Sequence, residues 1–181
     1  NILKFIKNSD LIINLKTIWQ EKPINFINGI YQFNVDLIKY IKQNDQNTPL
    51  IFFSGLGLEK DTNSKRSSAI KKTEDYIKDE LNNFNIIRPG VVIGGGDLFL
   101  KKLIPLFKLS MFIPLFGNGK SKFQPVYIDD LAKSIEIIAT NKILNNETYE
   151  FVGSTIFSYS EFYALLAKCM KIKRIMVPTP F

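Results

Sequence analysis

The chain has 181 residues, a length that suits one compact domain or a domain with a small satellite. Hydrophobic residues make up 45% of the chain and charged residues 23%, which excludes a disordered or fibrous protein. Because the chain contains no histidine, it cannot itself supply a Ser-His-Asp or Cys-His catalytic group or an imidazole ligand, and we predict no metal site. The single cysteine, Cys169, cannot form an internal disulfide, and this favours a reducing compartment such as the cytoplasm.

The formal charge of +7 arises from 24 basic and 17 acidic residues, and only three of the basic residues are arginines. Nucleic-acid-binding surfaces depend on arginine for bidentate contacts with bases and phosphates. The lysines are scattered in ones and twos, as in Lys71-Lys72 and Lys101-Lys102, rather than gathered in a long run. We therefore predict a solvated lysine surface and no nucleic-acid partner.

The most apolar segment, residues 98–116, is interrupted by lysines and prolines. A bilayer-spanning helix needs about 20 nearly uncharged residues, and a secretory signal needs a charged start followed by an apolar stretch. Neither pattern is present, so we predict that membrane contact is at most peripheral. For residues 107–116 we predict packing in the core or in a lid, and contact with a lipid surface is the alternative for the same stretch.

The first half of the chain alternates strand and helix patterns. Its opening strand is a short β-branched apolar run, typical of a strand buried in a parallel sheet. The third strand of this half ends at Pro89, because proline cannot continue a ladder of hydrogen bonds. The predicted elements are a strand at 10–15, a helix at 31–42, a strand at 49–54, a helix at 67–84 and a strand at 85–89.

The second half of the chain is less regular. A glycine-rich loop, Gly94–Gly96, precedes a helix, and Asp97 has the position of its N-cap. Ser158 and Glu161 have the spacing of a capping box before the last helix. The predicted elements are a helix at 98–108, a strand at 123–128, a helix beginning at Asp129 or Asp130, a strand at 148–152, the capped helix and a strand at 175–178. Strands that alternate with helices imply right-handed crossovers and a parallel sheet, so we predict an α/β fold.

Ligands of open parallel sheets bind beyond the carboxyl ends of the strands. In this chain those ends are residues 14–17, 54–58, 89–97 and 127–130. Ser54, directly after a buried strand, is the first candidate site residue, with a simple strand-ending turn as the alternative. Ser68 and Lys72 lie four residues apart on a predicted helix and therefore face the same way. The glycine-rich loop matches neither common phosphate-binding pattern, because Phe99 stands where a third glycine is needed.

In their order and spacing, these motifs resemble the extended and atypical short-chain dehydrogenase/reductase family, which includes NAD-dependent epimerases and dehydratases. Within that family the chain most resembles the branch that contains the Rossmann-type accessory subunit of respiratory complex I and its bacterial relatives. The resembling segments are residues 10–15 (the family's fourth strand), Asn28 and Asn34, residues 51–54, residues 87–94 with Asp97, residues 115–119 and residues 123–132.

The resemblance implies a Rossmann-like parallel sheet flanked by helices at residues 1–97. It also implies a small α/β substrate-side subdomain at residues 98–181, with one returning Rossmann segment at residues 123–140. NAD or NADP is the implied cofactor, and Ser54 and Lys72 fall on catalytic positions. The residues implied in cofactor binding are Asn14, Leu15, Ser54, Lys72, Pro89, Gly90, Val91 and Val92.

Two departures from the family pattern concern the cofactor site and the proton donor. The glycine-rich turn that holds the pyrophosphate has no counterpart, so the implied site is incomplete here and we expect the N-terminal third of the fold to lie outside this chain. The family's Tyr-x-x-x-Lys pair falls on Ser68 and Lys72, so serine replaces the tyrosine. Glu74 stands where the family often has an acid, and Tyr76, one turn further on, is the alternative proton donor.

In the family, that tyrosine moves a proton while hydride passes to or from the nicotinamide. An aliphatic hydroxyl has a far higher pKa than a phenol at about 10, and losing a positioned acid or base typically costs about 10²–10⁴-fold in rate. The resemblance thus implies weak or no redox turnover.

We predict an NAD(P)-binding-fold protein with an accessory or structural role similar to the complex I Rossmann subunit. The same resemblance implies a location in the cytoplasm or peripherally at the inner membrane. Two alternatives stay open: an active NAD(P)-dependent epimerase or reductase acting on a sugar nucleotide or a ketone, and a split-gene fragment of such an enzyme. Without its first strands, a parallel sheet exposes an apolar edge, which soluble proteins avoid. We therefore expect a protein partner or the missing N-terminal segment to complete the sheet.

Overall fold

The computed structural model describes residues 6, 9–43, 47–60, 63–141 and 143–180. The chain divides into two compact units: unit 1 comprises residues 1–89 and 134–150, and unit 2 comprises residues 90–133 and 151–181. The strands are β1 (Ile12–Asn14), β2 (Leu50–Phe53), β3 (Phe84–Pro89), β4 (Val92–Ile93), β5 (Phe112–Phe116), β6 (Lys122–Phe123), β7 (Val126–Tyr127), β8 (Thr148–Phe151), β9 (Phe157–Ser158) and β10 (Ile175–Thr179). The helices are α1 (Phe33–Gln43), α2 (Lys65–Glu80), α3 (Leu98–Leu109), α4 (Ile128–Thr140) and α5 (Tyr159–Cys169), with a π-helical segment, Ile27–Gln32, leading into α1 and a 3-10 turn at Gly117–Gly119.

A four-stranded sheet forms the centre of unit 1, in the order β1-β2-β3-β8. β1 and β3 both run parallel to β2, with Ile13 opposite Ile51 and Ile51 opposite Asn85. Leu50, Ile51 and Phe52 are almost completely buried, so both faces of β2 are covered. Apolar residues on both faces are typical of a parallel strand between layers of helices. The predicted α/β architecture is therefore confirmed.

The helices of unit 1 present apolar stripes to this sheet. α2 is capped by Ser64, whose side-chain oxygen accepts a hydrogen bond from the N–H of Ser67 at 3.2 Å. α2 ends at Glu80, before the predicted end at residue 84, because β3 already begins at Phe84. The core of unit 1 consists of Ile30, Leu37, Ile38, Ile41, Leu50, Phe52, Leu58, Ala69, Ile70, Ile77, Phe84 and Ile86.

Unit 2 is built around aromatic side chains. α3 begins after Asp97, whose carboxylate accepts a hydrogen bond from the N–H of Leu100 at 2.6 Å, so the predicted N-cap is confirmed. The predicted capping box is also confirmed: Ser158 and Glu161 exchange hydrogen bonds at the start of α5. The core of unit 2 consists of Leu103, Phe107, Ile113, Leu115, Phe162, Tyr163 and Ala167.

The prediction of a single strand at residues 123–128 was wrong. Two short strands occupy this segment: β6 pairs antiparallel with β9, and β7 pairs parallel with β4. Pro125 lies between them and has no N–H to continue one ladder through the segment. α4 begins at Ile128, so Asp129 and Asp130 lie in its first turn rather than at its N-cap. Carboxylates in a first turn still interact favourably with the positive end of the helix dipole.

The apolar run at residues 107–116 is divided between a helix and a strand that was not predicted. Its last five residues form β5, which runs parallel to β10. Ile113 and Leu115 of β5 are buried, whereas Phe112 and Phe116 are exposed. Within the described residues, no helix combines the length and the apolar character needed to cross a membrane.

Candidate functional site

The side chain of Asn14, at the carboxyl end of β1, links this strand through hydrogen bonds to the helix that follows it. Its Nδ2 donates to Oδ1 of Asn34 at 2.7 Å, and Nδ2 of Asn34 donates to the carbonyl of Ile30 at 2.8 Å. Oδ1 of Asn14 also accepts a hydrogen bond from the backbone N–H of Lys16 at 2.9 Å. Asn14 and Asn34 are both buried. The Asn14 side chain therefore stabilises the turn after β1, and a ligand at this edge would first meet the exposed Leu15.

The π-helical segment Ile27–Gln32 contacts the residues after β1, and no sequence pattern predicted it. Nζ of Lys16 donates to the carbonyl of Gly29 at 2.6 Å, and the same ammonium lies 3.9 Å from the centroid of the Phe33 ring. A side chain at Gly29 would overlap Ile18. Burial lowers the pKa of Lys16. π-helical turns are frequent at functional sites, and this one holds a lysine ammonium against a backbone carbonyl.

Ser54 is hydrogen-bonded to a buried ion pair. Its hydroxyl donates to Oε1 of Glu74 at 2.5 Å. The Arg88 guanidinium holds the same carboxylate through two hydrogen bonds, Nε to Oε1 at 2.9 Å and Nη2 to Oε2 at 2.6 Å. Glu74 is 0% exposed and Arg88 is 7% exposed. Bidentate arginine–carboxylate pairs are strong and geometrically specific, so this pair fixes α2 to β3 with Ser54 as a third partner.

Arg88 also contacts two exposed carboxylates. Its Nη1 lies 2.6 Å from Oε1 of Glu59 and 3.9 Å from Oε1 of Glu150. The hydrogen bonds to Glu74, and then those to Glu59, raise the pKa of Arg88 above its usual value. The pKa of Glu59 is lowered, first by a hydrogen bond to its own backbone N–H and then by the bond to Arg88. The sequence identified Glu74 as an acid of the family pattern but did not predict that it pairs with Arg88.

The predicted catalytic pair, Ser68 and Lys72, lies on the exposed side of α2. Both residues are exposed, whereas Glu74 on the same helix is buried. Ser54 donates to Glu74, and the structure records no hydrogen bond between Ser54 and Lys72 in the part of the chain that it describes. Ser68 and Lys72 therefore share a helix face, as their spacing predicted. The hydroxyl of Ser54 is hydrogen-bonded to Glu74, a different residue of that helix.

Tyr76, the alternative proton donor, packs against another ring. Its ring meets Tyr31 edge-on, with centroids 6.0 Å apart. Burial, with a further contribution from Glu80, raises the pKa of Tyr76. A phenol with a raised pKa is less suited to proton transfer near neutral pH, so this position does not favour Tyr76 as a substitute for the missing tyrosine.

Gly90, at the start of unit 2, allows two backbone segments to approach closely. A Cβ at this position would overlap the carbonyl oxygen of Gln124, which explains why glycine is required. Val92 lies in β4, and the carbonyl of Val91 accepts a hydrogen bond from the first residue of β7 at 2.9 Å. These contacts are packing contacts of unit 2. A role of Pro89, Gly90, Val91 and Val92 in holding a cofactor stays a prediction.

The glycine-rich loop Gly94–Gly96 folds onto Asp97. The carboxylate of Asp97 accepts hydrogen bonds from the N–H of Gly94 at 3.0 Å and from that of Leu100. A carboxylate of the protein itself therefore occupies the N-terminus of α3, where an external anion would otherwise bind. The loop acts as a helix cap.

An apolar groove lies beside the outer edge of β1 in unit 1. Its volume is about 570 Å³. Ile13 and Leu15 on this edge are 43% and 64% exposed, and among the described residues no strand pairs with the outer side of β1. The apolar residues that line the groove are Ile6, Ile12, Ile13, Leu15, Phe33, Leu37 and Tyr40.

Two curated proteins are similar to this chain in sequence, although no protein-family model matches it. The NADH dehydrogenase (ubiquinone) 1 alpha subcomplex subunit 9, mitochondrial, of Dictyostelium discoideum is 27% identical over 167 residues, which cover 92% of this chain and 46% of the relative. The protein of the same name from Arabidopsis thaliana is 30% identical over 129 residues, which cover 71% of this chain and 32% of the relative. The predicted resemblance is confirmed. The chain spans less than half the length of these curated relatives.

Solved structures of nucleotide-sugar enzymes have the same fold. MoeE5 in complex with UDP-glucuronic acid and NAD matches with a TM-score of 0.82 at 14% identity, over 99% of this chain and 69% of that one. The UDP-glucuronic acid 4-epimerase from Bacillus cereus, in complex with UDP-glucuronic acid and NAD, matches with a TM-score of 0.82 at 16% identity, over 99% and 65%. The dTDP-4-dehydrorhamnose reductase from Bacillus anthracis, in complex with NADP, matches with a TM-score of 0.77 at 17% identity, over 99% and 68%. These likenesses establish the Rossmann-like fold.

Proposed function

We propose that this protein is a nucleotide-holding accessory protein of the short-chain dehydrogenase/reductase type, with weak or no redox turnover. The observation that carries the proposal is the hydrogen bond from Ser54 to Glu74. The Ser54 proton is directed to a buried carboxylate that Arg88 holds from the other side. While this hydrogen bond is made, the same proton is not available to a substrate carbonyl.

The exposed residue Ser68 supports the same proposal. Ser68 occupies the position that the resemblance assigns to the catalytic tyrosine. Its aliphatic hydroxyl stays protonated at neutral pH even beside Lys72, because its pKa lies far above the phenol value of about 10. The loss of a positioned acid or base is expected to lower the rate by about 10²–10⁴-fold.

NAD or NADP is the proposed cofactor, and two of the unit 1 residues that the resemblance assigns to it, Leu15 and Lys72, are exposed. When bound, the nicotinamide would supply hydride chemistry. The exposed ammonium of Lys72 suits ribose hydroxyls, and the exposed Leu15 offers backbone and apolar contacts at the end of β1. Asn14 and Ser54 do not fit as direct side-chain ligands, because both side chains are held by other residues of the protein.

A further strand, parallel to β1, is proposed to complete the sheet of unit 1. Three observations support this proposal: no strand that the structure describes pairs with the outer edge of β1, Ile13 and Leu15 are exposed, and a groove adjoins this edge. Roughly a third of each solved neighbour lies outside the matched region, so the fold has further residues that can supply such a strand. The strand would come from a preceding segment of the same protein or from a partner protein.

The similarity to named subunits of NADH dehydrogenase supports an accessory role in a multi-subunit assembly. The names of both relatives include the word mitochondrial. Of the predicted location, we retain as a proposal only the peripheral position at an inner membrane. An active epimerase or reductase is the second candidate function, favoured by the nucleotide-sugar enzymes among the solved neighbours.

The decisive experiment measures nucleotide binding and turnover on one preparation of the full-length protein. Isothermal titration calorimetry with NADH and NADPH reports binding, and the loss of NAD(P)H absorbance with UDP-sugars or 4-keto nucleotide sugars reports turnover. We expect binding without turnover. Lys72→Ala should weaken binding, whereas Lys78→Ala, which removes another exposed lysine of α2, should not.

If the protein consumes NAD(P)H with one of these substrates and Lys72→Ala abolishes this turnover, the proposal is wrong and the protein is an active enzyme. Absence of binding to either nucleotide would reject the nucleotide-holding role and favour the split-gene fragment.

A further inference from the structure

Arg66, in the first turn of α2, is held by the residues that follow β1. Its Nε donates to the carbonyl of Ile18 at 3.0 Å, and its Nη2 donates to Oγ1 of Thr17 at 3.1 Å. The guanidinium also lies over the ring of Trp19, with Cζ 4.0 Å from the ring centroid. These three contacts fix the direction of a side chain that otherwise has several rotatable bonds.

This fixed guanidinium keeps hydrogen-bond donors in reserve. A guanidinium has five N–H groups, and the contacts with Ile18 and Thr17 engage two of them. Within the residues that the structure describes, no carboxylate forms an ion pair with Arg66. Arg66 is half-buried, and burial lowers its pKa. A cation that has lost part of its hydration without gaining a counter-charge is stabilised by an anion.

The other two arginines of the chain each have a compensating partner. Arg88 pairs with the buried carboxylate of Glu74. Arg174 donates to carbonyls in the last turn of α3, where the helix dipole is negative. Arg66 instead belongs to the first turn of α2, where the dipole is positive, and no acidic residue lies in that turn. Of the three arginines, Arg66 is therefore the one whose charge the described part of the chain leaves uncompensated.

Arg66 reaches the edge of the sheet at which a ligand is expected. Thr17 and Trp19 follow the carboxyl end of β1, and ligands of open parallel sheets bind beyond such ends. The Thr17 hydroxyl accepts from Arg66, and the described residues record no acceptor for its own proton. An arginine fork binds a phosphate through two parallel hydrogen bonds, and an aromatic ring such as that of Trp19 stacks on a planar base.

We infer that Arg66 and Thr17 bind a phosphate group of a nucleotide, with the ring of Trp19 beside the planar part of the same ligand. The inference rests on the proposed nucleotide-holding function and deepens it, since none of these three residues is among those that the resemblance assigns to the cofactor. The phosphate has two possible sources, the dinucleotide NAD(P)H and a nucleoside diphosphate such as that of a nucleotide sugar. Both carry a phosphate close to a planar ring.

The test is isothermal titration calorimetry of the full-length protein with two probes, NADPH and UDP, which distinguish the two sources. We expect Arg66→Gln to weaken binding of at least one probe by about 10–100-fold, because hydrogen bonds from a charged donor are lost. Arg66→Lys keeps the charge without the planar fork and should restore only part of the affinity. Arg174→Gln is the control, because it removes another half-buried arginine that carbonyl groups hold, and should leave the affinity unchanged.

Trp19 provides a second measurement, because it is the only tryptophan of this chain. Its fluorescence is excited where UDP and oxidised NADP do not absorb. We expect a change in emission that saturates with the calorimetric affinity and is absent from Trp19→Phe. Thr17→Val, which preserves the shape of the side chain, should weaken binding by about 2–10-fold and tests the site even if Arg66→Gln does not fold. Far-UV circular dichroism and melting temperatures verify the folding of each variant.

The inference is overturned if Arg66→Gln binds both probes as tightly as the native protein does. That result is expected if another part of the protein supplies a carboxylate to Arg66, and NADPH binding by both proteins would then leave the proposed function intact. Equal losses for Arg66→Gln and Arg174→Gln also overturn the inference, because the attraction is then to net charge. A native protein that binds neither probe contradicts the inference and the proposed function together.

Discussion

Glu74→Gln removes one charge from the buried pair with Arg88 and preserves the size of the side chain. Arg88 is 7% exposed, so its charge would stay inside the protein with the exposed Glu59 as its nearest carboxylate. Removing one partner of a buried ion pair costs about 3–5 kcal/mol, because the remaining charge is uncompensated. Glu59 offsets part of this loss, so we expect the free energy of unfolding to fall by about 2–4 kcal/mol.

The ion pair between Lys42 and Glu80 provides a matched control on the same helix. Its N–O distance of 2.6 Å equals that between Arg88 and Glu74, but its two side chains are 53% and 34% exposed. Exposed ion pairs contribute about 0–1 kcal/mol, so Glu80→Gln should cost less than about 1 kcal/mol. Burial, rather than contact distance, sets the expected difference between the two variants.

Urea unfolding followed by circular dichroism measures both losses, and thermal melting provides a second measurement. A loss of 1 kcal/mol corresponds to about 2–4 °C for a chain of this size, so Glu74→Gln should lower the Tm by about 5–15 °C. Glu74→Met/Arg88→Met leaves no buried charge and should recover most of the loss. Equal losses for Glu74→Gln and Glu80→Gln would refute this reasoning, as would a double variant no more stable than Glu74→Gln.

Three further predictions concern a close backbone contact, a surface carboxylate and the family serine. Gly90→Ala should destabilise unit 2 by about 1–3 kcal/mol in urea unfolding, because the added Cβ would overlap the Gln124 carbonyl. Gly55→Ala is the control and should be nearly neutral, since nothing lies within 4 Å of a Cβ at that position. The folded pKa of Glu59 is lowered, so its stabilisation is present above its unfolded pKa and is lost as the pH falls through the folded value. The difference in Tm between the native protein and Glu59→Gln should therefore shrink on acidification. Ser54→Ala should cost about 1–3 kcal/mol of stability and leave the calorimetric affinity for NAD(P)H unchanged; lost affinity with unchanged stability would contradict this.

Local features of the fold could be predicted because they depend on residues close together in the chain. The N-cap at Asp97 and the capping box at Ser158 each depend on a partner three residues away, and both are present. β5 could not be predicted in this way, because Pro114 argues against a strand. An edge strand tolerates proline, and among the described strands β5 pairs with β10 alone. That pairing depends on a partner near the end of the chain, which no local pattern contains.

The candidate site could be predicted only as a set of separate residues. The resemblance identified Ser54, Lys72 and Glu74, but helical spacing indicates only which residues share a face of one helix. The pairing of Glu74 with Arg88 joins a helix to a strand, so it depends on the packing of two elements. The π-helical segment likewise has no sequence signature, and the contact between Lys16 and its carbonyl could not be anticipated.

Ser54 and Ser68 differ in what the fold requires of them. A carboxylate offers about four acceptor sites; Arg88 fills two of those of Glu74, and the Ser54 hydroxyl fills a third. Because Glu74 is buried, a hydroxyl at position 54 is favoured by stability alone, independent of any catalytic role. Ser68 is exposed, and no comparable packing requirement would hold a tyrosine at that position. The proposed replacement of the family's tyrosine by Ser68 therefore falls at an exposed position, whereas Ser54 stands at a position that packing constrains.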